Sequence, residues 1–394
     1  MFETVSTAPP DAILGLSEAF QQDPNPHKIN LSVGVYKDAE GKTPVLRCVK
    51  AAEQRIVDNE PTKSYLGIDG LPEYRQHVAG LLFGDTIDAE RLAVVQTPGG
   101  TGGVRVAADF VGSQFAGAKV WISNPTWANH PAIFQSAGVA TETYRYLNAD
   151  RTGLDFEGLA TDLTNGPAAG DAVLLHACCH NPTGVDPTAE QWDQVGAILQ
   201  QRKLLPIIDF AYQGFGNGLQ QDAAGLHTVL RHCPEALVCS SFSKNFGLYS
   251  ERVGALTLVA AEADAATASL SQLKRLVRAN YSNPPRHGAA IVATVLGDAE
   301  LTSQWHDELA QMRQRIATMR QQFVERMRAT GVDRDFQFLL NQNGMFSFSG
   351  LNPMQVDELR SQHSVYIVGS GRINVAGMTE DNLPRLCDAI AAVL

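Results

Sequence analysis

The chain has 394 residues, 44% hydrophobic and 19% charged, the balance of a water-soluble globular protein too long for one simple core, so two domains are expected. Its 31 Lys and Arg against 42 Asp and Glu leave a net charge of −11, which argues against nucleic acids and anionic membrane surfaces as partners. No basic segment precedes an apolar core near the N-terminus, the longest apolar run (289–296) is too short to cross a bilayer, and the six cysteines contain no CxxC pair; a reduced cytoplasmic protein fits, and a signal peptide, a disulfide framework or a zinc site does not.

Residues 1–12, with prolines at 9 and 10, read as an extended arm of the kind that lies on a partner subunit. A short amphipathic helix is expected over 13–22, a strand over the alternating stretch 29–36, and helices over 46–59 and 71–82. From residue 92 the pattern changes. Val-, Ile- and Leu-rich runs at 92–96, 119–123, 172–178, 204–210, 236–240 and 253–259 do not alternate, as in strands buried on both faces. Helical patterns fill most gaps, among them 102–116, 188–202 and 223–232, with Thr188 and Gln191 forming a capping box. Strand–helix alternation implies an α/β fold whose open, mainly parallel sheet is covered on both faces. Too few residues separate the last two runs for a parallel crossover, so as neighbours they are antiparallel and the sheet is mixed.

A long helix over 299–330 repeats Leu301, Trp305, Leu309, Met312, Ile316, Met319, Phe323 and Met327 at steps of three and four. Asp298 can cap its start and Gly331 its end. It outlasts one core and is expected to bridge two domains. Strands near 336–340, 344–349 and 364–368 and helices at 353–362 and 379–392 make a smaller α+β unit. The expected division is an arm over 1–12, a small domain from 13–45 with 312–394, and a large domain over 46–311.

Chemistry-bearing residues gather at strand ends. Lys244 follows the apolar run 236–239 between Ser241, Ser243 and Phe246. A lysine at the mouth of a buried strand loses solvation, which lowers its pKa and frees an amine able to bond a carbonyl carbon; the same residue also reads as a loop lysine in a salt bridge. Arg252 can hold a phosphate, with Ser241 and Ser243 as hydroxyl donors. QTPGGTGG at 96–103, with Gly100 and Thr101, sits where backbone N–H groups can meet an anion at a helix start, or make a plain tight turn. Asn181 stands in HNPTG after a strand, where a Pro/Gly turn reads equally well. Asp209 ends the run 204–209 and needs a cationic partner there; Tyr212 follows it. Trp127, in SNPTWANH, offers a flat face or a core residue. Together these supply an anion cradle, an aromatic face, hydroxyls, a carboxylate and an amine, an inventory that suits pyridoxal 5′-phosphate.

With YLGIDG (65–70), TPGGTG (97–102), SNPTWANH (123–130), HACCHNPTG (176–184), DFAYQGF (209–215), SFSKNFGLYSERVG (241–254), RANYSNPP (278–285), NGMFSFSGL (343–351) and SGRINVAGM (370–378), the chain resembles the class I pyridoxal-phosphate aminotransferases, in their aspartate/aromatic subgroup. The resemblance runs through nearly the whole chain in order and implies a fold type I transferase acting as a homodimer. It implies that Lys244 bonds the cofactor and moves protons, Asp209 pairs with the ring nitrogen backed by His130, Tyr212 and Asn181 meet the ring oxygen, and Trp127 stacks on the ring. Gly100, Thr101, Ser241, Ser243 and Arg252 would hold the phosphate with Tyr65 of the neighbouring chain. Arg372 would grip the substrate α-carboxylate, Arg278 of the neighbour the side-chain carboxylate, and Val33 and Gly34 would line the pocket.

Two arginines measure the length of a dicarboxylate, because a guanidinium meets a carboxylate through two parallel hydrogen bonds. Val35, Lys37, Thr43, Thr101 and Asn283 look like the aspartate branch, whereas Ser64 matches neither branch. The expected activity is aspartate aminotransferase, with an aromatic-amino-acid aminotransferase and a non-catalytic cofactor-binding regulator as rivals. The intact set of site residues, with both carboxylate-binding arginines, speaks against the regulator.

Overall fold

The structure, a computed structural model, describes residues 1–7 and 14–394. Part of the expected N-terminal arm, residues 8–12, lies outside the described residues; Phe2–Thr4 form one exposed 3-10 turn. Eleven strands occur among the described residues. Seven build the main sheet: β2 (Leu92–Pro98), β3 (Val120–Asn124), β4 (Thr141–Arg145), β5 (Ala172–His176), β6 (Leu205–Phe210), β7 (Ala236–Ser241) and β8 (Val253–Val259). Their order is β2-β8-β7-β6-β5-β3-β4. All neighbours are parallel except β8, which runs antiparallel to both β2 and β7. The mixed sheet expected from the short 241–253 connection is present.

Successive residues of the central strands serve opposite faces. Leu174, Ile207, Leu237 and Leu256 pack with helices Gly99–Gln114 and Ala263–Asn280. Leu175, Ile208, Val238 and Ala255 pack on the other face, with helices that include Arg47–Asn59, Ala189–Arg202, His287–Leu296 and Ala299–Ala329. Burial on both faces explains why these strands read as apolar runs without alternation.

The eight periodic residues of the long helix are all buried, each contributing about 1.5–3 kcal/mol relative to exposure. Asp298 Oδ1 accepts from Leu301 N at 2.9 Å to start this helix, and Gly331 takes φ +78 just past its end. Trp305 ties it to the Lys244 turn: its Nε1 donates to Asn245 O at 2.7 Å, and its ring stacks on Phe246 at 4.4 Å. Trp305→Ala would remove both contacts and leave a cavity, a loss of about 3–5 kcal/mol. The capping box is also formed, with Thr188 N donating to Gln191 Oε1 at 2.9 Å and Gln191 N to Thr188 Oγ1 at 3.3 Å.

Chain beginning and chain end meet. β1 (Ile29–Asn30) pairs in parallel with β10 (Val365–Tyr366), and β9 (Phe346–Phe348) pairs antiparallel with β11 (Arg372–Asn374). Several sequence expectations are corrected. The strand over 29–36 is only two residues long, because Asn374 Nδ2 takes the carbonyls of Val33 (2.7 Å) and Val35 (2.8 Å) away from any ladder. The strand near 336–340 is a 3-10 helix, Gln337–Asn341, with Phe336 and Leu339 buried at a step of three. The edge strand β4 and the short strand β11 are additional. β4 exposes most of its TETYR side chains and so shows no apolar run.

Candidate active site

β2, β3, β5, β6 and β7 all end at one edge of the sheet, and β8 begins there. The segments beyond those ends surround a cavity of about 250 Å³ lined by Gly34, Gly100, Thr101, Trp127, Asn181, Asp209, Ala211, Tyr212, Ser241, Ser243, Lys244, Tyr249, Arg252, Phe346 and Arg372. Residues far apart in sequence share a wall because parallel strands deliver their carboxyl ends side by side.

Lys244 stands in the turn after β7, where Gly247 N donates to its carbonyl at 3.0 Å and Gly247 takes φ +65. The side chain is half-buried, with Nζ 4.6 Å above the centre of the Tyr212 ring. Burial pushes the amine down to about 8, with Arg252 adding in the same direction and Asp209 opposing. Burial alone would raise Asp209, but the His130 hydrogen bond and the nearby cationic charge, Lys244 included, hold its carboxyl below the usual value. His130 Nε2 lies 3.1 Å from Asp209 Oδ2, and Thr126 Oγ1 lies 2.8 Å from His130 Nδ1. A carboxylate only accepts, so Nε2 is the donor, and the histidine's orientation is held from its far side by Thr126. His176, 3.2 Å from the same hydroxyl, is pushed down to about 3 by burial and by His130.

The Asn181 loop is held just as firmly. Asp186 accepts from Cys179 N at 2.8 Å and His180 N at 2.9 Å, while His180 bridges Ser123 and Thr183 at 2.9 Å each. Asn181 Nδ2 then reaches the Tyr212 hydroxyl at 3.5 Å. Tyr212 is pushed up by burial, so its phenol keeps its proton.

An anion cradle forms where helix Gly99–Gln114 starts. No side chain caps that helix, leaving its first N–H groups and the positive end of its dipole to the cavity. A Cβ on Gly99 would lie 2.4 Å from Arg252 Nη2, one on Gly100 3.0 Å from Ser241 Cβ, and one on Gly254 2.4 Å from the Gly99 carbonyl carbon. Only glycines permit this approach of loop, serines and guanidinium. Arg252 Nη1 is fixed by Tyr249 O at 3.1 Å and Ser243 Oγ at 3.4 Å.

Opposite the cradle, Arg372 is 5% exposed. Its Nη2 donates to Ser32 O at 2.5 Å, and its guanidinium lies 4.2 Å above the Phe346 ring. A Cβ on Gly34 would stand 2.7 Å from Phe346 Cζ, so glycine there keeps Phe346 and Arg372 in place. Val33 does not line the cavity; its contribution is the carbonyl that binds Asn374. Val35, Lys37, Thr43, Ser64 and Asn283 also stand outside the lining. Phe346, Tyr249 and Ala211 line the cavity without having been singled out from sequence. Phe346 and Tyr249 sit in the quoted motifs, but an aromatic beside a strand ordinarily reads as core.

Tyr65 and Arg278 lie outside this chain's cavity. Tyr65 is 91% exposed, and among the described residues exposed Arg278 donates only to Ser282 Oγ, at 2.5 Å. Their segments are joined, since Asn283 Nδ2 donates to Leu66 O at 3.0 Å.

A doubly covered mixed sheet with a half-buried lysine, a buried carboxylate and an anion cradle at one edge defines a fold type I pyridoxal-phosphate enzyme. The chain belongs to the family of class I and II aminotransferases, whose model matches residues 26–390. It is 53% identical over 397 residues to the aspartate aminotransferase of Escherichia coli strain K12, covering 100% of both chains. It is 48% identical over 395 residues to an aromatic-amino-acid aminotransferase of Pseudomonas aeruginosa, covering 100% of this chain and 98% of that one. The crystal structure of an aromatic-amino-acid aminotransferase from Burkholderia pseudomallei covalently bound to pyridoxal phosphate superposes with a TM-score of 0.97 at 48% identity, covering 100% of this chain and 99% of that one.

The protein is an aminotransferase, and pyridoxal phosphate is its cofactor. The cavity residues fit that group: the glycine cradle leaves room for an anion at a helix start beside Arg252, and the Lys244 amine and the Asp209 carboxylate line the same cavity.

Proposed function

We propose that this enzyme is an aspartate aminotransferase, moving the amino group of L-aspartate to 2-oxoglutarate in two half-reactions and releasing oxaloacetate and L-glutamate. Bound in the cavity, pyridoxal phosphate supplies an electron sink for bond breaking at the substrate α-carbon. Gly100, Thr101, Ser241, Ser243 and Arg252, with Tyr65 of the partner subunit, would hold its phosphate. Trp127 would stack on its ring. Tyr212 and Asn181 would bond its ring oxygen, and Asp209, ionised and braced by His130, would pair with its ring nitrogen and favour the protonated form. Lys244, with its amine near 8, takes and returns the α-carbon proton. Arg372 orients the substrate through its α-carboxylate, and Gly34 and Phe346 close that end of the pocket.

The observation that carries aspartate over an aromatic substrate is the second arginine. Among the described residues Arg278 has no carboxylate among its contacts, and its exposed segment makes one patch with that of Tyr65 through the Asn283–Leu66 hydrogen bond. In a two-fold homodimer with shared sites, that patch faces the neighbour's cavity and Arg278 takes the side-chain carboxylate. The pairing of Ile29–Asn30 with Val365–Tyr366 supports reading 13–45 with 312–394 as one small domain beside 46–311. Six free, buried cysteines suit a reducing cytoplasm.

The test is transamination by the purified holoenzyme with 2-oxoglutarate against a panel of amino acids. Aspartate should give the highest kcat/KM, with phenylalanine and tyrosine lower. A higher value for either aromatic substrate would make the enzyme an aromatic-amino-acid aminotransferase instead.

A further inference from the structure

Behind the active-site wall lies a second cavity of about 460 Å³, between the long helix Ala299–Ala329, the loop after β6 and the segment around 340–344. Its lining includes Arg313, Arg320 and Arg328 but one acidic side chain, Glu325. Arg320 is 6% exposed, and among the described residues it forms no ion pair. Its Nη2 donates to Gly344 O at 2.7 Å and to Ser347 Oγ at 3.5 Å, while its Nε has no hydrogen-bond partner among the described residues. Gln342 is 2% exposed, and among the described residues both its amide nitrogen and its amide oxygen are unpartnered. Buried polar groups are ordinarily satisfied, and a buried guanidinium without an anion is costly.

We propose that this cavity is a binding site for a small oxyanion, a carboxylate or phosphate that also carries a hydroxyl group. The guanidinium of Arg320 and the Gln342 amide nitrogen donate to the oxyanion, the Gln342 oxygen accepts the hydroxyl, and Arg313 and Arg328 supply charge at the rim. The site is separate from the cofactor cavity but adjoins its supports. Asn343 N donates to Gly184 O at 2.6 Å, and a Cβ on Gly344 would lie 2.4 Å from Cys179 Cβ. The occupied site therefore braces the segment that leads to Phe346 on one side and the Asn181 loop on the other.

Citrate and glycerol 3-phosphate are the probes, titrated separately by calorimetry into Arg372→Leu holoenzyme. That substitution removes the α-carboxylate clamp, bound cofactor fills the other anion site, and any binding left at Arg278 is told apart because it survives both Gln342→Leu and Arg328→Glu. At least one probe should bind with one site per chain. Gln342→Leu should weaken it about tenfold or more and Arg328→Glu, at the exposed rim, about fivefold. Arg320→Met should abolish it; should that variant fail to fold, the other two carry the test. Binding by citrate alone identifies a carboxylate ligand and by glycerol 3-phosphate alone a phosphate, and each supports the site. No binding by either probe at millimolar concentration, or binding that survives both Gln342→Leu and Arg328→Glu, overturns it.

Discussion

Lys244→Met should make the apoenzyme more stable, and by an amount that depends on pH. The folded amine sits near 8, against an ordinary value of 10.5. Between those values the unfolded chain holds the proton that the folded chain has lost, so stability rises with pH across that window. Below pH 8 the folded state bears the whole cost of a poorly solvated ammonium. At 1.36 kcal/mol per unit, that cost is about 3 kcal/mol at pH 7 and falls to roughly 1.4 kcal/mol at pH 9.5. The figure at pH 7 is an upper value, because the half-buried side chain faces a cavity. Methionine carries no charge, so the variant escapes the cost at both pH values. Its packing difference from lysine is independent of pH and cancels in the comparison. Urea unfolding of both apoenzymes at one chain concentration, at pH 7 and 9.5, reads the two gaps. The variant should lead at pH 7, and its lead should shrink by about 2 kcal/mol at pH 9.5. A lead that is absent at pH 7, or equal at the two pH values, would refute a desolvated amine at residue 244.

Arg278→Leu should lower kcat/KM for aspartate by about 2–5 kcal/mol of transition-state binding and leave phenylalanine nearly unchanged; equal losses would make Arg278 structural. Gly34→Ala should overpack Phe346 by about 1–3 kcal/mol, read as a fall of about five- to 150-fold in kcat/KM with the fold intact by circular dichroism; unchanged kinetics would mean that Phe346 yields freely. Co-refolding Lys244→Ala with Arg278→Ala chains should restore aspartate activity to about a quarter of sites, because half of randomly paired dimers are hybrids carrying one wild-type site. Proven hybrids without activity would place both residues in one chain's site.

The sheet was legible in the sequence because six of its strands are buried on both faces and read as apolar runs. β4 was not, because an edge strand with exposed Glu142 and Arg145 leaves no such run. The stretch 29–36 alternates like a strand, yet its later residues are strapped by a distant side chain, Asn374. Local pattern carries no information about a bond across 341 residues of chain. Lys244, Asp209 and Asn181 were legible because polar residues at strand ends stand out against apolar runs. Phe346 did not stand out, since its role beneath Arg372 follows from packing against Gly34 rather than from its neighbours in sequence.

Every role proposed for the cavity depends on Lys244 being the residue that carries the cofactor. Borohydride treatment of the holoenzyme fixes pyridoxal phosphate to its lysine, and peptide mass spectrometry then locates the label. A single labelled peptide is expected, containing Lys244 within SFSKNFGLY. A label on any other lysine, with the Lys244 peptide unmodified, would contradict it.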